Sequence, residues 1–299
     1  MSINRNNFNP DNVVMADFLT GDLPRNQADG VITEVIQGSA IMRLAKEVPM
    51  TKPIEEFTYM TGVGAYWIGE GQRIETSKPT MVKAEMVAKK LAVIVPITNE
   101  ALNHTVSNFF ELMRPQIVEA FHMKLDQAVF VGSDSPWNTS ILEVAQNSGN
   151  VVPSTGNKYT DINNAMELIE AEDGEPNGIA TVRSQLASYR GTRTEDGMPI
   201  FTPATDGVTA TVLGLPLVTV PKTSFDGQAL DIVADWDGVR FGILDDVSFK
   251  ILDQGSLQTV TGEDGMPINL GEMDMQAIRV TMSIGTLITD EDAFAVVTP

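Results

Sequence analysis

Between residues 54 and 98 the chain alternates in a way that a compact core element does not tolerate. A first arm reads Glu56-Phe57-Thr58-Tyr59-Met60. A second places Val82, Ala84, Met86 and Ala88 on one face and Lys83, Glu85 and Lys89 on the other. Period-two alternation of this kind is the signature of strands. Between the arms lie Gly62-Val63-Gly64-Ala65-Tyr66-Trp67-Ile68-Gly69-Glu70-Gly71 and then Arg73-Ile74-Glu75-Thr76-Ser77-Lys78-Pro79-Thr80. A stretch alternating on both sides with so many glycines is not a compact core element, and two strands alone are marginal in water. The pattern predicts a protruding hairpin that needs a surface from elsewhere. Leu91–Ile97, apolar on both faces, should return to the body.

The remainder reads as mixed helix and strand. Residues 1–25, rich in Asn, Asp and Pro, are an extended segment, either a frayed terminus or an arm that orders on a partner. Val31, Val35, Ile36, Ile41, Met42 and Leu44 fit a short helix after Asp29, broken near Gly38, and then a strand. Over residues 105–131, Val106, Phe109, Phe110, Met113, Ile117, Phe121, Leu125 and Val129 recur at spacings of three and four. That is a long amphipathic helix of about 40 Å. Pro115 lies inside it and should kink or split it. A loop is expected from Gly132 to Gly156, then a helix near Asp161–Ala171. Shorter segments follow: a strand at Ile179–Val182, a helix near Ser184–Tyr189, and strands near Leu215–Val220, Leu230–Val233, Val239–Leu244 and Val247–Leu252. Glu-Asp-Gly-Met-Pro-Ile occurs at 195–200 and again at 263–268, and Asp-Gly points to two similar turns. A last run, Met275–Val297, should be a strand that rejoins an earlier sheet.

Charge narrows the function classes. Twenty Lys and Arg against forty Asp and Glu give a net charge of −20, the wrong sign for a chain that grips nucleic acid or an anionic membrane. Residues 1–153 carry −5 and residues 154–299 carry −15, whereas residues 46–90 carry +1. The hairpin is a near-neutral island in an acidic chain. No apolar run approaches the roughly 20 residues of a membrane span, and the N-terminus lacks the apolar core of a signal peptide. With no cysteine there is no disulfide, thiolate nucleophile or cysteine-ligated metal.

Patterns that carry chemistry are scarce. Gly62-x-Gly64 lacks the third glycine of a dinucleotide loop, and Tyr66-Trp67 leads into no helix. Asp235-Trp236-Asp237-Gly238 lacks the later ligands of a calcium loop and reads as a tight turn. His104 and His122 are the only histidines and share no metal-binding spacing. Neither a nucleophile elbow nor a Walker loop is present. Glu55/Glu56 and Asp290/Asp292 fit a solvated face, and the fifteen methionines fit adaptable core filler. No catalytic residue, metal or cofactor is expected, and a structural role is favoured.

Several segments together resemble one family. These are Gly64-Ala65-Tyr66-Trp67-Ile68-Gly69-Glu70-Gly71, Ile74-x-x-Ser77-Lys78, Lys89 through Thr98, Asn108-Phe109-Phe110, Asp235-Trp236-Asp237 with Phe241-Gly242-Ile243, and Ala277–Ile288. In this order, over roughly residues 28–297, they resemble the major capsid proteins of tailed bacteriophages, the Hong Kong 97-type fold. The resemblance implies an α+β phage major capsid fold with four parts. Residues 1–28 would be the N-terminal arm, and 50–90 the extended β-hairpin E-loop. Residues 30–49, 91–155 and 254–299 would form the P-domain with its long spine helix. Residues 156–253 would form the A-domain.

The implied function is a non-enzymatic shell protein that self-assembles into hexamers and pentamers around double-stranded DNA. It would work without cofactors, in the virion after assembly in the host cytoplasm, with a portal protein and no membrane. Tyr66, Trp67, Glu70, Arg73, Lys78 and Lys83 are the expected inter-subunit contacts, and Pro115 the expected kink of the spine helix. Some relatives crosslink an E-loop lysine to an asparagine on the last P-domain strand, aided by a glutamate. Residues 273–289 hold neither Asn nor Glu, only Asp274, so crosslinking is not expected. Residues before 28 leave no room for a built-in scaffold, so a separate scaffolding protein is expected. The alternatives are an encapsulin-like nanocompartment and a soluble α+β binding protein or hydrolase.

Overall fold

The structure, a computed structural model, describes residues 38–61, 67–68, 70, 73, 76–194, 196–204, 209–261 and 266–299. Its helices are α1 (Ala40–Leu44), α2 (Asn99–Phe130), α3 (Ile141–Ser148), α4 (Lys158–Glu170) and α5 (Leu186–Gly191). The strands up to the middle of the chain are β1 (Lys46–Glu47), β2 (Ile54–Thr61), β3 (Thr80–Thr98), β4 (Val151–Pro153), β5 (Gly178–Val182), β6 (Phe201–Thr202) and β7 (Thr211–Val212). Then come β8 (Leu215–Val220), β9 (Asp231–Ala234), β10 (Val239–Leu252), β11 (Ser256–Thr261), β12 (Pro267–Asn269), β13 (Met275–Ile288) and β14 (Phe294–Thr298). Two larger sheets run β1-β10-β13-β3-β2 and β4-β14-β9-β5-β8-β7-β6, and β11 pairs with β12 alone.

The chain divides into two compact units. One comprises Ala40–Lys89, Asp126–Leu244 and Ile284–Pro299. Its seven-stranded sheet mixes parallel pairs (β4 with β14, β5 with β8) and antiparallel ones (β9 with both β14 and β5). The central β5, Gly-Ile-Ala-Thr-Val, is buried at every residue, which explains why its sequence runs apolar instead of alternating. Helix α4 lays Ile162, Ala165 and Ile169 on this sheet at helical spacing, against Ile179, Val233 and Val297. Asn157 starts α4, its side-chain oxygen accepting from the Tyr159 N–H at 3.1 Å. A second apolar group is aromatic: Phe130 meets Phe225 edge-on at 5.0 Å and Trp236 at 6.2 Å, and Trp236 meets Phe294 at 6.4 Å.

A charged constellation sits in the same unit. The Lys158 ammonium lies 2.5 Å from Asp231, and the Thr181 and Tyr189 hydroxyls donate to the other Asp231 oxygen at 2.5 and 2.8 Å. All four residues are buried. Asp126 is buried too, and accepts from the Ala40 and Ile41 N–H groups at 3.0 and 3.2 Å, satisfying the free donors that open α1.

The other unit takes residues 38–39 with Lys90–Leu125 and Asp245–Ser283. Its small core joins Val260, Ile268 and Leu270 to Met275 and Ala277 beneath the β11–β12 pair. The Asn99 amide donates to the Asp274 carboxylate at 2.5 Å while the Asn99 N–H reaches the Asp274 carbonyl at 3.1 Å. Helix α2 runs unbroken through Pro115, whose ring is on an exposed face, so the helix is not split there.

Further expectations change. Ile41, Met42 and Leu44, expected in a strand, lie in helix α1. The stretch from Gly132 to Gly156 holds α3 and β4, not only loop. Val239–Leu252 is one strand, and within it Asp245 accepts from the Ser283 hydroxyl of β13 at 2.8 Å. The last run is two strands, β13 in the five-stranded sheet and β14 in the seven-stranded one. The first Glu-Asp-Gly-Met-Pro-Ile copy is a turn, with Gly197 at φ +81° between the bridged Arg193 and Pro199. The second joins the antiparallel β11 and β12, with residues 262–265 outside the described ones.

Candidate interaction surface

The hairpin predicted from alternation is present as β2 and β3, in register from Ile54↔Val87 to Thr61↔Thr80. Its root is fixed by a set of contacts. Phe57 and Tyr59 point to the same side of β2, where the Arg240 guanidinium lies 5.5 and 5.3 Å from their ring centres. Met50 and Met86, both buried, fill notches left by Gly242 and Gly285. A Cβ on Gly242 would fall 2.5 Å from Met50 Cγ and from the Val48 carbonyl, so only glycine fits there. The Trp137 indole N–H donates to the Val87 carbonyl at 2.9 Å.

Away from the root the hairpin is open. Met60, Met81 and Val82 are exposed large apolar side chains, and Trp67 is fully exposed at 104%. Glu70, Arg73, Lys78 and Lys83 are exposed as well. Among the described residues none of these four has an ion-pair partner. Tyr66 lies outside the described residues, and Pro115 is exposed on α2. Exposed apolar side chains gathered on one element are a feature of interaction surfaces.

The buried constellation at Asp231 has a different character. Burial, and then the Asp231 charge, push the Tyr189 hydroxyl well above its usual pKa of 10.0, so it stays a donor. With Lys158 and Asp231 at 2% and 0% exposure, no substrate reaches these groups. Among the described residues no cluster of His, Cys, Asp or Glu could hold a metal ion, and no helix is long and apolar enough to cross a membrane. Asp235–Gly238 is the expected tight turn, its Asp235 carboxylate accepting from the Asp237 N–H at 3.1 Å.

Sequence reasoning missed Arg240, the methionine–glycine notches and the Lys158–Asp231 pair. The partners lie 73 residues apart in the buried pair, and no local pattern links such distances. Methionine serves both purposes: Met50 and Met86 fill core gaps as expected, whereas Met60 and Met81 stand exposed on the hairpin.

Comparison with known proteins identifies the family of the chain. Residues 22–298 match the phage capsid family. The chain is 37% identical to the major capsid protein of Staphylococcus phage 80alpha, over 98% of this chain and 89% of that one. It is 25% identical to the probable major capsid protein of Mycobacterium phage D29, over 93% and 90%. Among solved structures, that from Mycobacterium phage Adephagia superposes with a TM-score of 0.73 at 23% identity, covering 93% of this chain and 98% of that one. The structure from Microbacterium phage Oxtober96 gives 0.71 at 26%, covering 88% and 91%. These relatives favour neither an encapsulin-like compartment nor a soluble binding protein or hydrolase. The chain, an α+β protein with an exposed hairpin, belongs to the phage capsid family and is a structural protein of the phage shell.

Proposed function

We propose that the chain self-associates into hexamers and pentamers of an icosahedral shell that encloses double-stranded DNA and catalyses no reaction. The observation that carries this reading is the hairpin, whose apolar and charged side chains are exposed while its root is fixed. In the proposed shell residues 1–28 are the N-terminal arm and 50–90 the E-loop, draped over a neighbouring subunit. Residues 30–49, 91–155 and 254–299 serve as the P-domain, with the helix through Pro115 as its spine, and 156–253 as the A-domain. Tyr66 and Trp67 anchor the drape, since aromatic side chains dominate interface energies. Glu70, Arg73, Lys78 and Lys83 meet charges on the neighbour. A separate scaffolding protein and a portal protein complete assembly in the host cytoplasm, and the product is the virion shell.

Negative-stain microscopy of the expressed chain tests this directly. Rings and closed shells are expected; particles of one or two subunits under all assembly conditions would reject it. DNA inside particles from infected cells, as opposed to protein cargo, tests the contents. Arg73→Glu with Lys78→Glu should lower shell yield about tenfold, because charge reversal at a repeated contact turns attraction into repulsion. Unchanged yield would remove the hairpin cations from the interface.

A further inference from the structure

The seven-stranded sheet carries its surface charge unevenly. Helix α4 packs on β4, β14 and β9, one half of the sheet. It ends in an acidic turn, where Glu167, Glu170, Glu172, Asp173 and Glu175 are all exposed. Among the described residues none of them has an ion-pair partner. At the β8-β7-β6 half two described cations gather. There a groove of about 580 Å³ is lined by Arg43 from α1 and Arg190 from α5, with Thr209, Thr219, Phe201 and Leu217. Both arginines are exposed, and among the described residues neither has a carboxylate partner.

Two guanidiniums with no carboxylate partner among the described residues are unusual in a chain of net charge −20. The groove's chemistry selects carboxylates: guanidiniums offer paired N–H donors that match a carboxylate fork, and threonine hydroxyls add further donors. An apolar wall of Phe201 and Leu217 accommodates the chain that carries them. Carboxylates with no partner are available on the other half of the same sheet. Complementary patches on different parts of one chain produce a head-to-tail contact, and such contacts close into rings.

We propose that the Arg43–Arg190 groove receives the acidic turn at residues 170–175 of a second copy of this chain. This rests on the shell reading and names one contact that builds its rings. Local complementarity at this joint offsets the mutual repulsion of acidic copies and fixes the direction in which they join.

The test is a charge-swap cycle in the full-length chain. Arg43→Glu with Arg190→Glu, and separately Glu170→Lys with Glu172→Lys and Glu175→Lys, should each cut shell yield at fixed concentration by about tenfold or more. All five positions are exposed, so thermal unfolding of the unassembled chain should match wild type. Combining all five changes in one chain restores the complementarity with its signs exchanged, and shells should return. Wild-type yield from either partial set, or failure of the combined variant while it remains folded, would overturn the groove–turn contact. If the unaltered chain forms no rings, it is the shell reading that fails.

Discussion

Asp231 shows what a single residue can demand of a core. Its carboxylate is buried with Lys158, Thr181 and Tyr189 arranged around it, and removing a partner from such a group leaves charge stranded in apolar surroundings. Lys158→Met should therefore cost about 3–5 kcal/mol in denaturant unfolding of the unassembled chain. A loss below about 1 kcal/mol would show that Thr181 and Tyr189 alone satisfy Asp231. Tyr189 adds a pH dependence. Its folded-state pKa is raised above 10.0, so above that pH the unfolded chain releases a proton that the folded chain keeps. Stability from this group is complete below pH 10.0 and is lost as pH climbs toward the folded value. Tyr189→Phe should flatten the alkaline fall of the melting temperature, and an equally steep fall would assign it to other groups. None of this network was legible in the sequence, where no local pattern ties Lys158 to Asp231, 73 residues away. The buried pair depends on a fold that brings α4 and β9 together.

At the scale of elements, legibility followed local chemistry. Helix α4, strand β5 and the hairpin were readable because their patterns are periodic within the segment. Helix α3 carried an unused signal: Ser140 with Glu143 three residues on is a capping sequence, and the Glu143 N–H does donate to the Ser140 hydroxyl at 3.3 Å. Gly149 at φ +79°, with the Asn150 N–H reaching the Ala145 carbonyl at 2.8 Å, closes the same helix. Arg240 had no such signal, since its aromatic partners lie across the fold on β2. Helix α2 carries the element-scale prediction. Pro115 removes one backbone donor and presses its ring toward the preceding turn, a penalty of about 3 kcal/mol in a helix interior. In the proposed shell this weak point is where the spine bends during expansion. Pro115→Ala should strengthen the helix and slow expansion, followed by time-resolved small-angle scattering of purified precursor shells. Wild-type kinetics would exclude Pro115 as the bending point.

For the whole molecule, net charge decides how a shell can hold its contents. Proteins that bind duplex DNA do so by releasing counterions with Lys and Arg, and nonspecific dissociation constants of about 10⁻⁴ to 10⁻⁶ M result. This chain has forty acidic side chains against twenty basic ones. Two of the basic ones are committed, with Lys158 buried and Arg240 held against the Phe57 and Tyr59 rings. In the proposed shell the hairpin cations and the Arg43–Arg190 groove face neighbouring subunits, and the cations that remain are outnumbered by the forty carboxylates. Such a wall confines DNA without adhering to it, and repulsion lets the polymer slide during filling and ejection. Empty shells opened by mild denaturant and mixed with free duplex DNA in about 0.15 M salt should bind more weakly than about 10⁻⁴ M. Lowering the salt should not rescue binding, because an acidic surface has no counterions to release from the DNA. Tight binding that weakens with a slope of several phosphates per subunit would mean that the shell's cations line its interior, and that contacts between copies are made by something other than charge.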